Sequence, residues 1–146
     1  MTDEEIIQLL RARVLKLKFM RYLNGDIHAV NQAKQEAILA FHPGEDLCQT
    51  AGVIQGGFVT AMLDGAMAHA VLVASKMTLA PPTLELKVSF LRAALPGPHK
   101  AVGRVLRMGK SIGFLEGELF NAKGEVIAKS SATAILVPQE PVKPQA

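Results

Sequence analysis

"GVIQGGFVTAMLDGAMAHA", residues Gly52 to Ala70, is the stretch on which the fold turns. Gly56 and Gly57 open it, an apolar run continues to about Ser75, and a single carboxylate, Asp64, stands near its middle. An apolar run with no polar face predicts a helix buried on all sides. Phe58 to Ala74 falls short of the roughly 20 residues that a membrane span needs, and it carries Asp64 and His69. The expectation is therefore the central helix of a globular core, with no membrane partner.

Working outward, Asp3 to about Lys18 places Ile6, Ile7, Leu10, Val14 and Leu17 at helical spacing, with Thr2 or Asp3 as cap. Asn24-Gly25-Asp26 signals a turn, and Gln35 to Phe41 reads as a strand that ends at His42-Pro43-Gly44. Beyond the central helix, Pro81-Pro82 break the chain. Leu84, Leu86, Val88 and Phe90 then alternate with Glu85, Lys87 and Ser89, which is strand period two. Lys100 to Met108, Ser111 to Phe120 and Glu125 to Val137 are three more strands, joined by turns short enough for hairpins. The expected order is helix, strand, buried helix and a four-strand meander. That is an α+β plan, a curled antiparallel sheet around one helix. Residues 1–137 should form one domain, and the proline-rich 138–146 a flexible tail.

The chain has 146 residues, 49% hydrophobic and 20% charged, enough for one core that buries roughly two-thirds of the unfolded surface. A net charge of +3 suits anionic small molecules, but the basic residues lack the clustering of a nucleic-acid binder. Cys48 is the lone cysteine, so no internal disulfide can form. Acids stand where a secretory signal would carry positive charge, and a cytoplasmic setting is expected. His28, His42, His69 and His99 are scattered without metal-ligand spacing, and the Gly52 to Gly57 segment lacks the ending of a phosphate loop. The chemistry is expected to need neither metal nor cofactor.

The helix start and the acid suggest a reaction. Free N–H groups at a helix N-terminus can hold an oxyanion, and glycine at 56 and 57 lets a carbonyl approach without a Cβ in the way. Asp64 can serve as general base or nucleophile. Eight residues of helix separate Gly56 from Asp64, about 12 Å of rise, so one chain cannot put both on one carbon. In a two-fold dimer the Gly56 end of one chain can face Asp64 of the other. Arg92, Arg104, Arg107 and Lys110 lie on or between the later strands and are candidates for binding phosphates, with the Gly109-Lys110-Ser111 turn favoured among them.

These segments together, with "PPTLELKVSFLRAALPG" and "GRVLRMGKSIGFLEGELF", resemble the hotdog-fold acyl-CoA thioesterases of the PaaI and 4-hydroxybenzoyl-CoA thioesterase type over about Gln49 to Val137. Gly56, Gly57, Asp64 and Phe90-Leu91-Arg92 match the family's pattern. Gln55 departs from it, standing where histidine is usual and keeping a donor and an acceptor for substrate binding. The resemblance implies a hotdog fold and hydrolysis of an acyl-CoA or aryl-CoA thioester in a homodimer or homotetramer. It also implies a site between subunits, with Gln49 and the glycine amide from one chain and Asp64 and Thr83 from the other. Relatives use the Lys110-Ser111 region to bind the nucleotide. Two alternatives are a hotdog hydratase or dehydratase, given the Asp64-x4-His69 spacing, and a non-catalytic acyl-CoA binding protein, given Gln55.

Overall fold

The computed structural model describes residues 1–140. Helix α1, Asp3–Val14, starts where Thr2 and Glu5 cap each other: the Thr2 hydroxyl accepts from the Glu5 N–H, and the Glu5 carboxylate accepts from the Thr2 N–H. It buries Ile6, Leu10 and Val14, spaced one turn apart. It stops short of the expected Lys18, because Leu17 takes extended backbone and turns the chain into a second short helix, α2, Lys18–Tyr22. This turn brings Met20 and Leu23 into the core.

Strand β1, Asp26–Asn31, is absent from the sequence reading, and its geometry says why. A bulge between Ile27 and Ala29 leaves Ile27 and Val30 as its buried residues, so the inward spacing is three rather than two. Strand β2, Glu36–Phe41, follows with clean alternation of Ala37, Leu39 and Phe41 inward. A loop with a 3-10 turn at Glu45–Leu47 leads to the central helix α3, Gly56–Ala74. Then come β3, Leu79–Ala80; β4, Thr83–Phe90; β5, His99–Met108; β6, Ile112–Asn121; β7, Val126–Ile135; and β8, Val137–Pro138.

Six strands form one antiparallel sheet in the order β1-β2-β5-β6-β7-β4, curled around α3. The expected four-strand meander holds only for β5, β6 and β7. α3 carries the chain across the concave face, so β4 lies beside β7 at the far edge. The helix lies close to the sheet at Gly103 of β5, where any Cβ would overlap the Ala66 carbonyl. Val59, Met62, Leu63, Met67 and Val71 fill the space between. By length and composition alone α3 could cross a membrane, but here it is the core helix of the sheet.

Burial on all sides is not what α3 shows. Ala61, Asp64 and Ala68, one turn apart, are only half-buried. Small residues make this stripe apolar enough to look buried in sequence, yet nothing among the described residues fully covers it. The first residues of the expected tail are also tied down. β8 pairs with β3, and Gln139 donates its backbone N–H to Thr78 O and its side-chain amide to Met77 O. Residues 141–146 of that tail lie outside the described residues.

Candidate active site

The candidate residues gather in two places, one at each end of β4. At the Phe90 end, Gln55 takes extended backbone and caps α3, its Oε1 accepting from the Gly57 N–H at 2.7 Å. Of the two glycine amides expected to receive an oxyanion, Gly57's is thus already engaged, because the glutamine side chain folds back on its own helix. That cap is the contact the structure gives Gln55. Gly56's N–H finds no acceptor among the described residues. Gln49 reaches the same place because its loop is pinned: its N–H donates to Val53 O, the Gln55 N–H to Leu47 O and the Ile54 N–H to Ala94 O. Gln49, Gly56, Ile54, Val59, Phe90 and Arg92 all border one cavity of about 400 Å³. Arg92 is exposed and pairs with Glu125 at 3.6 Å. The Asn121 amide, and then Arg92, hold the Glu125 carboxyl below the usual glutamate range.

At the other end, the Thr83 hydroxyl donates to Asp64 Oδ1 at 2.8 Å. β4 starts where α3 has made two turns past Gly56, which brings strand and acid together. The Lys110-Ser111 turn belongs to this end, since Ile112 and Gly113 pair with Ile135 and Ala134, and Ala134 pairs with Thr83. Within one chain, then, Asp64, Thr83, Lys110 and Ser111 lie at one end of β4 and Gln49, Gly56, Gln55 and Arg92 at the other. Seven residues of β4, about 23 Å, separate Thr83 from Phe90.

His69 does not face Asp64. It is buried in the core, its Nδ1 2.7 Å from Gly65 O and its Nε2 without a partner among the described residues. A carbonyl only accepts, so Nδ1 carries the proton. Burial first, then the nearby Arg13, lowers its pKa to about 4 against the support of the Gly65 bond. The unfolded chain therefore takes up a proton near pH 6.5 that the folded chain refuses until about pH 4. Stability is full above that window and falls with pH inside it, by about 1.4 kcal/mol per unit and roughly 3 kcal/mol in all. His99, also lowered by burial, adds in the same direction. Urea unfolding between pH 7.5 and 4.5 should show this slope, and His69→Gln should flatten it; equal slopes would assign the acid sensitivity elsewhere.

Among the described residues, no three His, Cys, Asp or Glu side chains gather as a metal group. Phe90 enters the site without having been singled out as a site residue. Its place in the Phe-Leu-Arg run was the available signal.

A sheet curled around one helix, with a helix N-terminus and an acid at the ends of its edge strand, is the hotdog class of enzyme. Residues 51–128 match the family model of the Thioesterase superfamily, and the chain belongs to that family. A candidate esterase of Saccharolobus solfataricus is 30% identical over 72% of this chain and 74% of its own. The PaaI protein from the phenylacetic acid degradation operon of E. coli has the same fold, with a TM-score of 0.82 at 19% identity, covering 92% of this chain and 95% of that one. A Streptococcus mutans protein solved with acetyl-CoA bound superposes with a TM-score of 0.70 at 18% identity, over 80% of this chain and 90% of that one. The protein is a thioester hydrolase.

Proposed function

We propose that the protein hydrolyses acyl-CoA thioesters at two equivalent sites, each shared between two copies of the chain. The observation that carries this reading is the placement of the two groups of residues at opposite ends of β4, an edge strand whose outer side pairs with no strand among the described residues. Leu84 and Phe90 along it and Leu91 just past its end are each 55% exposed, and Ala61, Asp64 and Ala68 on α3 are half-buried. An unpaired apolar edge invites another strand. Two β4 strands paired antiparallel about a two-fold axis put the Thr83 end of one against the Phe90 end of the other. Gln49 and Gly56 of one copy then meet Asp64 and Thr83 of its partner.

In that arrangement the Gly56 N–H and the Gln49 side-chain amide receive the thioester oxygen as it becomes an oxyanion. Thr83 occupies Asp64 Oδ1, which leaves Oδ2 to act. As a base it takes a proton from water while the hydroxide adds to the carbonyl carbon; the tetrahedral intermediate expels the CoA thiolate, which takes up that proton. As a nucleophile the same oxygen adds to the carbonyl carbon and expels the CoA thiolate to leave a mixed anhydride; water then cleaves the anhydride, which restores the Asp64 carboxylate, frees the acid and supplies the proton that the thiolate takes up. Arg92 and the partner's Lys110-Ser111 turn flank the shared site and suit the phosphates of CoA. Leu106 and Phe114, exposed on the sheet face turned away from α3, suit stacking of dimers into a tetramer. A reducing cytoplasm is the setting that the lone Cys48 fits.

A panel of aryl-CoA and straight-chain acyl-CoA esters, followed by release of free thiol, tests the reading. Turnover of at least one class is expected. Tight binding of every ester without thiol release would make the protein an acyl-CoA binder instead.

A further inference from the structure

The ring of Phe90 lies against Gly56. A Cβ built on Gly56 would sit 3.3 Å from both Cε1 and Cζ of that ring. We infer that Phe90 is the residue that sets which acyl group the site accepts, favouring groups that are flat or unbranched next to the carbonyl. The inference rests on the thioesterase reading and adds the wall of its acyl slot.

The argument is geometric. Gly56 carries the free N–H, and a carbonyl oxygen bound to it lies about 2.9 Å from that nitrogen. The nitrogen is one bond from the Cα on which the Phe90 ring rests. A group on the carbonyl carbon that turns toward this side of Gly56 therefore meets the Phe90 ring. A carbonyl carbon bears two such groups, the acyl chain and the thiol. The buried Ile54 and Val59 lie in the wall of this open cavity with Val53, Leu91, Ala93 and Ala94, and Gln49 and Arg92 are its polar side chains. The apolar part of such a wall, beside Phe90, suits hydrocarbon. The thiol of CoA leads to amides and phosphates, which run outward past Arg92 at the rim. An aromatic edge suits an aryl or short linear acyl group, by stacking or edge contact. A branch beside the carbonyl collides with it.

Phe90 stands 55% exposed in the single chain, so truncating it leaves the core intact. The test compares wild type, Phe90→Ala and Phe90→Leu on aryl, straight-chain and α-branched acyl-CoA esters. It also compares one acyl group carried on CoA and on N-acetylcysteamine. Phe90→Ala should lower the ratio of kcat/KM for aryl over α-branched esters by at least about tenfold. Phe90→Leu should fall between, and the ratio of CoA to N-acetylcysteamine ester should stay as in wild type. Acyl ratios unmoved in a folded variant, or movement of the carrier ratio instead, would overturn the assignment. Dissociation constants for thioether analogues of the same acyl groups give the same comparison without turnover. A wild type that binds these analogues but cleaves no ester fails the hydrolysis reading alone, while unmoved analogue ratios fail the Phe90 assignment.

Discussion

Asp64→Asn is expected to lower kcat for thioester hydrolysis by at least about 100-fold, the lower end for loss of a positioned base. The amide keeps the shape of the side chain and an oxygen to accept the Thr83 hydroxyl, whose 2.8 Å bond is the one side-chain hydrogen bond of Asp64 among the described residues. The fold should therefore survive, because Asp64 is half-buried on the open stripe of α3 and the core beneath it is made by Met62, Leu63 and Met67. What the amide cannot do is take a proton from water or attack a carbonyl. A base and a nucleophile are both lost by this change, so the prediction holds for either role. The hydratase alternative needs a histidine that works with the acid, and His69 is turned into the core with its Nδ1 committed to Gly65. Thiol release by the purified variant, with circular dichroism as the control for folding, is the measurement. A folded Asp64→Asn with turnover near wild type would remove Asp64 from the mechanism.

Mixing two crippled variants should restore activity that neither has. If a site takes Gln49 and Gly56 from one chain and Asp64 and Thr83 from the other, Gln49→Ala and Asp64→Ala damage opposite halves. Each homodimer then carries one defect in both sites. A mixed dimer places both defects in one site and leaves the other whole. Random pairing makes half of the dimers mixed, each with one working site of two, so activity rises toward about a quarter of wild type. About 23 Å lies between the Thr83 and Phe90 ends of β4, which is the separation the shared-site proposal rests on. Chains unfolded together, refolded and captured by two different tags establish that exchange took place. Exchange without recovered thiol release would sink the shared site, and Asp64 could then act only within its own chain.

Much of this was legible in the residues. The apolar run after Gly56-Gly57 gave α3, and the alternation from Leu84 to Phe90 gave β4, because helix and strand periods are local properties of a chain. The hairpins of β5, β6 and β7 followed from short polar turns between alternating runs. The order of Gly56, Asp64 and Phe90-Leu91-Arg92 along the chain carried the resemblance to the thioesterases, and it required no contact to be known. β1 escaped because a bulge between Ile27 and Ala29 breaks the period by which strands are recognised.

The sequence by itself determined the central helix, most of the strands, the family and the residues available for chemistry. Only the tertiary structure decided which of them meet. It placed β4 at the sheet edge beside β7, with Asp64 and Thr83 at one end of the strand and Gln49 and Gly56 at the other. It left one face of α3 uncovered among the described residues, engaged the Gly57 amide with Gln55 and laid the Phe90 ring on Gly56. Periodicity reports which face of an element is apolar, whereas partners across the chain depend on how the sheet closes around the helix. That closure is set by packing between residues far apart in sequence, such as Gly103 against Ala66, and no local pattern encodes it.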